Sequence, residues 1–283
     1  MDIRRRLREA KGLTPTESQL ASAILAMGER VQGVSIKELA AASATSVATV
    51  HRLCKKLGVE GLKELKVEMA RATARSERAD DVDFDFPFDA GWEPARVAAG
   101  MKSLYAKAIE ETLEVLDLEA LGRTADLVRQ ASVVDVYTES HNLYPAQMFV
   151  DRMLSAGRTA TCHESQERKI RSALTSDESH AAVLISYSGV NMFFPQLLPV
   201  LAERGVPTAL IGAPMARDRN PGLDEYLLIG DSESTLHRIT QFASHISVQF
   251  VLDTLYSCVV AGDYDRSIEF IRNTLPYTRK PGL

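Results

Sequence analysis

From residue 132 onward, short apolar runs alternate with stretches of helical period, and this alternation restricts the fold more than any other feature. "SVVDVY", "TATC", "AAVLISYS", "PTALIG" and "EYLLIG" read as strands. Between them "LYPAQMFVDRMLSAG", "ERKIRSAL" and "FFPQLLPVLAERG" read as helices. Strands that return through helices of this length pair in parallel, under helices on both faces. The runs lack strict apolar–polar alternation, as expected of strands buried on both sides. The prediction for residues 96–283 is therefore a doubly wound α/β domain. Helical period leads into it from Ala95, and two further helical segments, "LHRITQFASHISVQFVLDTLYSCVV" and "DRSIEFIRNTL", close it.

Residues 1–75 show only helical signals. In "TESQLASAILAM" the apolar positions Leu20, Ala21, Ile24 and Leu25 fall on one helical face, with Thr16 or Pro15 placed to start the helix. "SIKELAAAS" carries Ser35 as N-cap with Glu38 three residues on, a capping-box pattern. After a short turn at Ala44-Thr45, "SVATVHRLCKKLG" opens on Ser46 and stops at Gly58. Two short helices joined by so short a turn form a helix-turn-helix. Residues 76–95, "ERADDVDFDFPFDAGWEPAR", lack a helical period and read as a linker, with Phe84, Phe86, Phe88 and Trp92 available to pack on a neighbouring domain.

Charge follows this division. The net charge of −5 argues against nucleic acid for the chain as a whole. Residues 1–75, however, hold 14 Lys+Arg against 8 Asp+Glu, while the remainder holds 19 against 30. A basic head on an acidic body fits a protein whose head alone meets a polyanion. No apolar run approaches the roughly 20 residues of a membrane span. The charged start "MDIRRRLREA" lacks the apolar core of a signal peptide. Cys54, Cys162 and Cys258 are scattered without metal spacing and read as reduced thiols, so a cytoplasmic protein without metal or cofactor is expected.

A helix-turn-helix sets the first residues of its second helix against base edges in the major groove. Here these are Ser46, Val47, Thr49 and, one turn on, Arg52, whose guanidinium can bond a guanine edge twice. Lys55 and Lys56 follow as phosphate contacts. Leu39, Ala40, Val50 and Leu53 are the expected packing between the two helices. The wording "LTPTESQLASAIL" and "SIKELAAASATSVATVHRLCKKLGVEGLKELK" resembles the N-terminal domain of the RpiR family of bacterial transcription regulators. The frame falls on Ser46, Thr49, Val50, Arg52, Cys54, Lys55, Lys56, Leu57 and Gly58 and covers about the first 70 residues. Ala44 stands where that family commonly has glycine, which is tolerable if the turn residue keeps a right-handed conformation.

That resemblance implies a C-terminal SIS domain, a doubly wound sheet that binds phosphorylated sugars. In such domains a strand ends in Ser-x-Ser-Gly around a phosphate, and "ISYSG", Ile185 to Gly189, is similar. Independently, ligands of open α/β sheets bind at the C-terminal ends of strands, beside helix N-termini. Ser186 and Ser188 are thus candidates to hold an anion, with Gly189 letting backbone approach it closely. Several residues depart from the family pattern. Asn191 stands for the usual threonine and Phe193 for an acid; the first strand ends in Glu139-Ser140-His141-Asn142 instead of a glycine-bearing turn; His163 and Glu164 follow the second strand. We read 139–142 and Asn191 as effector-binding residues facing the same crevice as Ser186, with Ser140 or Asn142 as an N-cap in the alternative.

The sequence thus predicts a DNA-binding regulator whose effector is a sugar phosphate or another small anionic, sugar-type metabolite. The alternative is a sugar-phosphate isomerase with a structural basic head, for which Glu139, Glu233 or His141 would have to serve as base. Apolar residues on several faces of 235–261 (among them Ile239, Phe242, Val251 and Leu255) point to a subunit interface, hence a homodimer or homotetramer on a two-fold operator.

Overall fold

A computed structural model describes residues 3, 6, 7, 10, 12–77 and 82–278. It divides into two compact units, Met1–Ser103 and Leu104–Leu283. Of the predicted linker 76–95, residues 76 and 77 belong to a helix and 78–81 lie outside the described residues.

In the first unit α1 (Pro15–Met27) starts at the proline, with Thr14 as N-cap. The Glu17 amide donates to Thr14 Oγ1 (3.3 Å) and the Thr14 amide to Glu17 Oε2 (2.8 Å), closing a capping box. After a 3-10 turn, Gly28–Gly33, Ser35 and Glu38 repeat the device at the start of α2 (Ile36–Ala42). Ser46 caps α3 (Val47–Lys56), and α4 (Leu62–Glu77) completes the bundle. Leu20, Ile24, Leu39, Val50, Leu53, Leu65 and Met69 form its core with Ile3 and Leu7.

The turn between α2 and α3 corrects one expectation. Ala44 is left-handed, with φ +48°. Its amide donates to Ala41 O (3.1 Å) and that of Thr45 to Ala40 O (2.8 Å), so α2 ends in a Schellman motif whose penultimate link demands a left-handed residue. The chain accepts alanine there because those bonds close the helix before α3 begins.

Within the first unit the linker folds onto α5 (Pro94–Val115). A Cβ at Gly100 would stand 3.0 Å from Pro87 O and 3.3 Å from the Trp92 ring, so a larger residue would push the linker away by a few tenths of an ångström. The unit boundary falls inside α5 rather than at its start.

The second unit continues with α6 (Leu118–Gln130), β1 (Val133–Tyr137), α7 (Leu143–Ser155), β2 (Ala160–Cys162), α8 (Gln166–Thr175), β3 (His180–Ile185), α9 (Phe194–Glu203), β4 (Thr208–Gly212), α10 (Pro214–Arg219), β5 (Glu225–Leu228), α11 (Ala243–Ala261) and α12 (Tyr264–Thr278). All neighbouring strands are parallel, in the order β2-β1-β3-β4-β5. One face buries Val134, Val136, Val183, Ile185 and Tyr187 against α6, α7 and α11. The other buries Tyr137, Ala182, Leu184 and Leu210 against α8 and α9. Asp135, buried in β1, accepts from Thr161 Oγ1 (2.7 Å), Ser172 Oγ (3.1 Å) and Ser176 Oγ (3.1 Å) and shares a hydrogen bond with His180 Nδ1 (2.8 Å). A buried carboxylate persists where its lone pairs are filled in this way.

The closing helix begins later than its sequence pattern predicts. Ser234 Oγ accepts from the amides of Leu236 and His237, a local turn that competes with helix. The Glu233 carboxylate reaches forward to the amides of Ala243 (3.0 Å) and Ser244 (3.3 Å) and so starts α11 at Ala243. Val248, Val251, Leu252, Leu255 and Val259 of α11 lie in the unit's own core, between α6 and α7. Of the apolar residues predicted to face a second subunit, Val248, Val251 and Leu255 are buried there, Phe242, Ile246 and Phe250 are half-buried and Ile239 is exposed.

Candidate functional site

The outward face of α3 carries Val47, Ala48, His51, Arg52 and Lys55, with Ser46 exposed at its cap. Ala48 and His51 were not among the predicted contacts, although residues one turn from Val47 and Arg52 share their face. Two predicted contacts are engaged within the head, Thr49 buried and Lys56 exposed. Thr49 is buried; its Oγ1 pairs with Ser46 Oγ (2.9 Å) and accepts from Arg52 Nη2 (3.2 Å), so it seats the cap and braces the arginine. Lys56 Nζ donates to Gly12 O and to Glu17 Oε2, both at 2.7 Å. It ties α3 to α1 instead of reaching for phosphate. Glu17 is 1% exposed, and its bonds to Lys56 and Thr14 hold its pKa down at about 2. The same carboxylate stands 4.0 Å from Arg52 Nε.

In the second unit the strand order reverses between β1 and β3, and a crevice opens at such a reversal beyond the carboxyl ends of both strands. The pairing of Tyr137 with Leu184 sets residues 138–139 beside 185–186, and Thr138 Oγ1 donates to Ile185 O (3.0 Å). Glu139 and Asn191 meet here: with its amide nitrogen turned to its acceptors, Asn191 donates to Glu139 Oε1 (2.5 Å). Ser186 continues the ladder through its amide to Ile211 O (3.0 Å) and is 5% exposed.

Tyr187, Gly189 and the Ser188 carbonyl hold the rest of the Ser-Tyr-Ser-Gly turn in the fold. Tyr187 points to the other face and donates to Glu233 O (2.6 Å). Ser188 Oγ accepts from the Val190 amide (3.3 Å), and Ser188 O accepts from Arg219 Nη1 (2.5 Å). At Gly189, expected to let backbone approach an anion, the side on which a Cβ would stand faces α10. The glycine has φ +73°, a Cβ there would stand 2.6 Å from Ala216 Cα, and its carbonyl accepts from Asn220 Nδ2 (2.9 Å).

The 139–142 run divides between the two sides of the sheet. Ser140 is exposed in a left-handed conformation, φ +58°, a strain that concentrates at functional turns. Neither Ser140 nor Asn142 caps α7 by its side chain. The turn 140–142 packs on α11, where both nitrogens of His141, Asn142 Oδ1 and Ser244 Oγ are buried without a hydrogen-bond partner. Burial, with Arg238 and His245 near it, pushes the His141 pKa down and favours the neutral ring. Glu233, a candidate base, is 3% exposed and committed to the start of α11 and to Arg238 Nη1 (2.5 Å). His163 is half-buried, and Glu164 accepts from Gln147 Nε2 (3.3 Å). A buried lysine, Lys169 of α8, stands over the Phe193 ring at 4.5 Å. Nothing in "ERKIRSAL" distinguished it from a surface residue of a charged helix. Among the described residues no group of three or more His, Cys, Asp or Glu is arranged to hold a metal ion.

Residues 1–76 match the family model "Helix-turn-helix domain, rpiR family". The head is an rpiR-family helix-turn-helix domain. Relatives that match nearly the whole chain are helix-turn-helix-type transcriptional regulators. A helix-turn-helix-type transcriptional regulator of Caldanaerobacter subterraneus subsp. tengcongensis is 27% identical over 272 residues, covering 94% of this chain and 92% of its own. The regulator HexR of Pseudomonas aeruginosa is 24% identical over 278 residues, covering 95% and 93%. Among solved structures, the Vibrio vulnificus NanR protein complexed with ManNAc-6P matches 99% of this chain and 100% of its own, with TM-score 0.57 and 19% identity. The sugar isomerase domain of an RpiR transcription factor from Sphaerobacter thermophilus matches 62% of this chain and 97% of its own, with TM-score 0.55 and 15% identity. The body that follows the rpiR head therefore has the SIS-like fold.

Proposed function

We propose that this protein is a cytoplasmic transcription regulator that binds operator DNA through α3 and a phosphorylated or otherwise anionic sugar-type metabolite at the β1/β3 crevice. One observation carries the reading: the chain that bears an rpiR-family head also bears a sheet whose reversal point gathers Ser186, Glu139 and Asn191. The ManNAc-6P held by Vibrio vulnificus NanR supports the ligand class. Ser46, Val47 and Arg52 are the proposed base readers, and Lys55 is the proposed phosphate contact. Ser186, Ser188, Glu139, Ser140 and Asn191 are the proposed effector contacts, with His141 and Asn142 lining the α11 side. Gly189 shapes the turn.

A sensor is favoured over a catalyst because the relatives that match nearly the whole chain are helix-turn-helix-type transcriptional regulators, and Glu233, one candidate base, is committed to the start of α11 and to Arg238. A homodimer or homotetramer follows from the task, since two heads read a two-fold operator. The effector regulates by favouring one arrangement of the heads over another. Among the described residues no single helix is long and apolar enough to cross a membrane.

The test is selection of genomic fragments by the full chain, then fluorescence anisotropy of the enriched duplex against salt and against ManNAc-6P and glucose 6-phosphate. Enrichment of one sequence, affinity falling linearly with log salt, and a shift of that affinity by a phosphosugar are expected. No enriched sequence would overturn the DNA reading. Turnover of a phosphosugar, abolished by Ser186→Ala, would replace the sensor with an isomerase.

A further inference from the structure

Lys169 occupies a position that a lysine does not hold without a reason. It lies in the first half of α8, 3% exposed, with its ammonium over the face of Phe193. Its electrostatic neighbours are Glu139, Cys162 and Glu164. None neutralises it by contact. Glu139 is hydrogen-bonded to Asn191, and Glu164, exposed, accepts from Gln147. Burial pushes the Cys162 thiol up to about 11, so it carries no charge at neutral pH. Among the described residues no carboxylate reaches ion-pair distance of Lys169 Nζ. A ring face offers an ammonium only part of what water did. Burial accordingly pushes the Lys169 pKa down.

A buried charge without a partner costs stability, and removing it for an apolar side chain of similar volume is neutral or stabilising. Such a group persists where a ligand completes it. The location agrees. Phe193 and Asn191 belong to the segment between β3 and α9, and Glu139 ends β1, so the elements around Lys169 border the crevice at the strand-order reversal. By strand alternation Ser186 lies on the same face as Leu184, the face that α8 and α9 cover.

We propose that Lys169 is the cationic anchor of the crevice and binds the anionic group of a sugar-type effector, a phosphate or a carboxylate, while Glu139, clamped by Asn191, bounds the site and accepts hydrogen bonds from the effector's hydroxyls. The inference rests on the crevice being the effector site. It assigns the recognition of charge to α8, an element outside the Ser-Tyr-Ser-Gly turn.

The test is calorimetric titration of the full chain with ManNAc-6P, glucose 6-phosphate, gluconate and glucuronate, together with melting of each unliganded variant. Phosphate esters and sugar acids separate the two sources of the anion. At least one is expected to bind the wild type, and Lys169→Met to weaken it at least tenfold, with Lys169→Arg between the two. Unliganded Lys169→Met is expected to melt at or above the wild type, the opposite of what a structural lysine would do. Equal affinity of wild type and Lys169→Met for the bound anion would overturn the role of Lys169, and loss of that binding in Ser186→Ala would show that the crevice reading survives. A Lys169→Met protein that melts well below the wild type would also overturn it. Binding of none of the four to the wild type would remove the crevice reading and this inference with it.

Discussion

Gly189→Ala separates two roles for the glycine of the Ser-Tyr-Ser-Gly turn. A methyl group there meets Ala216 Cα at 2.6 Å and Ala216 O at 2.9 Å, both backbone atoms that cannot swing aside. Holding alanine at φ +73° costs about 1–2 kcal/mol. Forcing α10 away from the turn adds about 1–3 kcal/mol, as in other overpacked sites. Alanine's narrower unfolded ensemble returns about 0.4–1 kcal/mol. The net expectation is a loss of about 1–5 kcal/mol. For a unit of this size it lowers Tm by roughly 2–20 °C, read by far-UV circular dichroism of the full chain. Binding of a phosphosugar to protein that remains folded is expected to change far less. A variant that melts with the wild type yet has lost effector binding would refute the reasoning, because it would mean that the glycine faces the ligand and not α10.

The other predictions concern the head. Ala44→Gly removes the left-handed strain in the α2–α3 turn and is expected to stabilise the head by up to about 1 kcal/mol, measured by urea denaturation, with DNA affinity unchanged. Arg52→Ala is expected to cost about 1–3 kcal/mol of binding to the selected operator while leaving non-specific binding nearly intact. Lys55→Ala should reduce the slope of log affinity against log salt by about one; Lys56→Ala should leave that slope and lower the head's melting temperature, since its ammonium holds Glu17. Glu17 has a folded pKa of about 2, below its ordinary 4.5, so its stabilising contribution is complete above 4.5 and is lost as pH falls toward 2. Glu17→Gln should flatten that part of the acid unfolding curve and leave the neutral region without an acid-linked slope.

The head was legible because its signals are local. Thr14, Ser35 and Ser46 cap helices within three residues of themselves, Pro15 begins one, and the apolar positions of α1 and α3 repeat at helical spacing. The alternation of strand and helix in the second unit is local in the same sense, and handedness and parallel pairing follow from it. Even so, a local pattern misleads where a side chain reaches beyond it. The apolar period of 235–261 runs on through Leu236 and Ile239, but Ser234 and Glu233 take the amides that helix would need and delay α11 to Ala243.

The site was legible only in part. That Ser186 ends a buried strand could be read from "AAVLIS"; that Glu139 and Asn191 form one hydrogen bond could not, because it depends on β1 lying between β2 and β3. The engagement of Lys56 depends likewise on Glu17 and Gly12, residues of another segment. Composition and periodicity by themselves determined which segments are helix or strand and that a basic reader precedes an α/β body, because those choices are made by hydrogen bonds and burial within a few residues. The tertiary structure alone decided which way a side chain at Gly189 would face, which polar atoms are orphaned around His141, and that Lys169 is buried with its ammonium over the Phe193 ring. Those facts arise from contacts between segments far apart in the chain, and the free energy of a buried charge is set by what surrounds it in space.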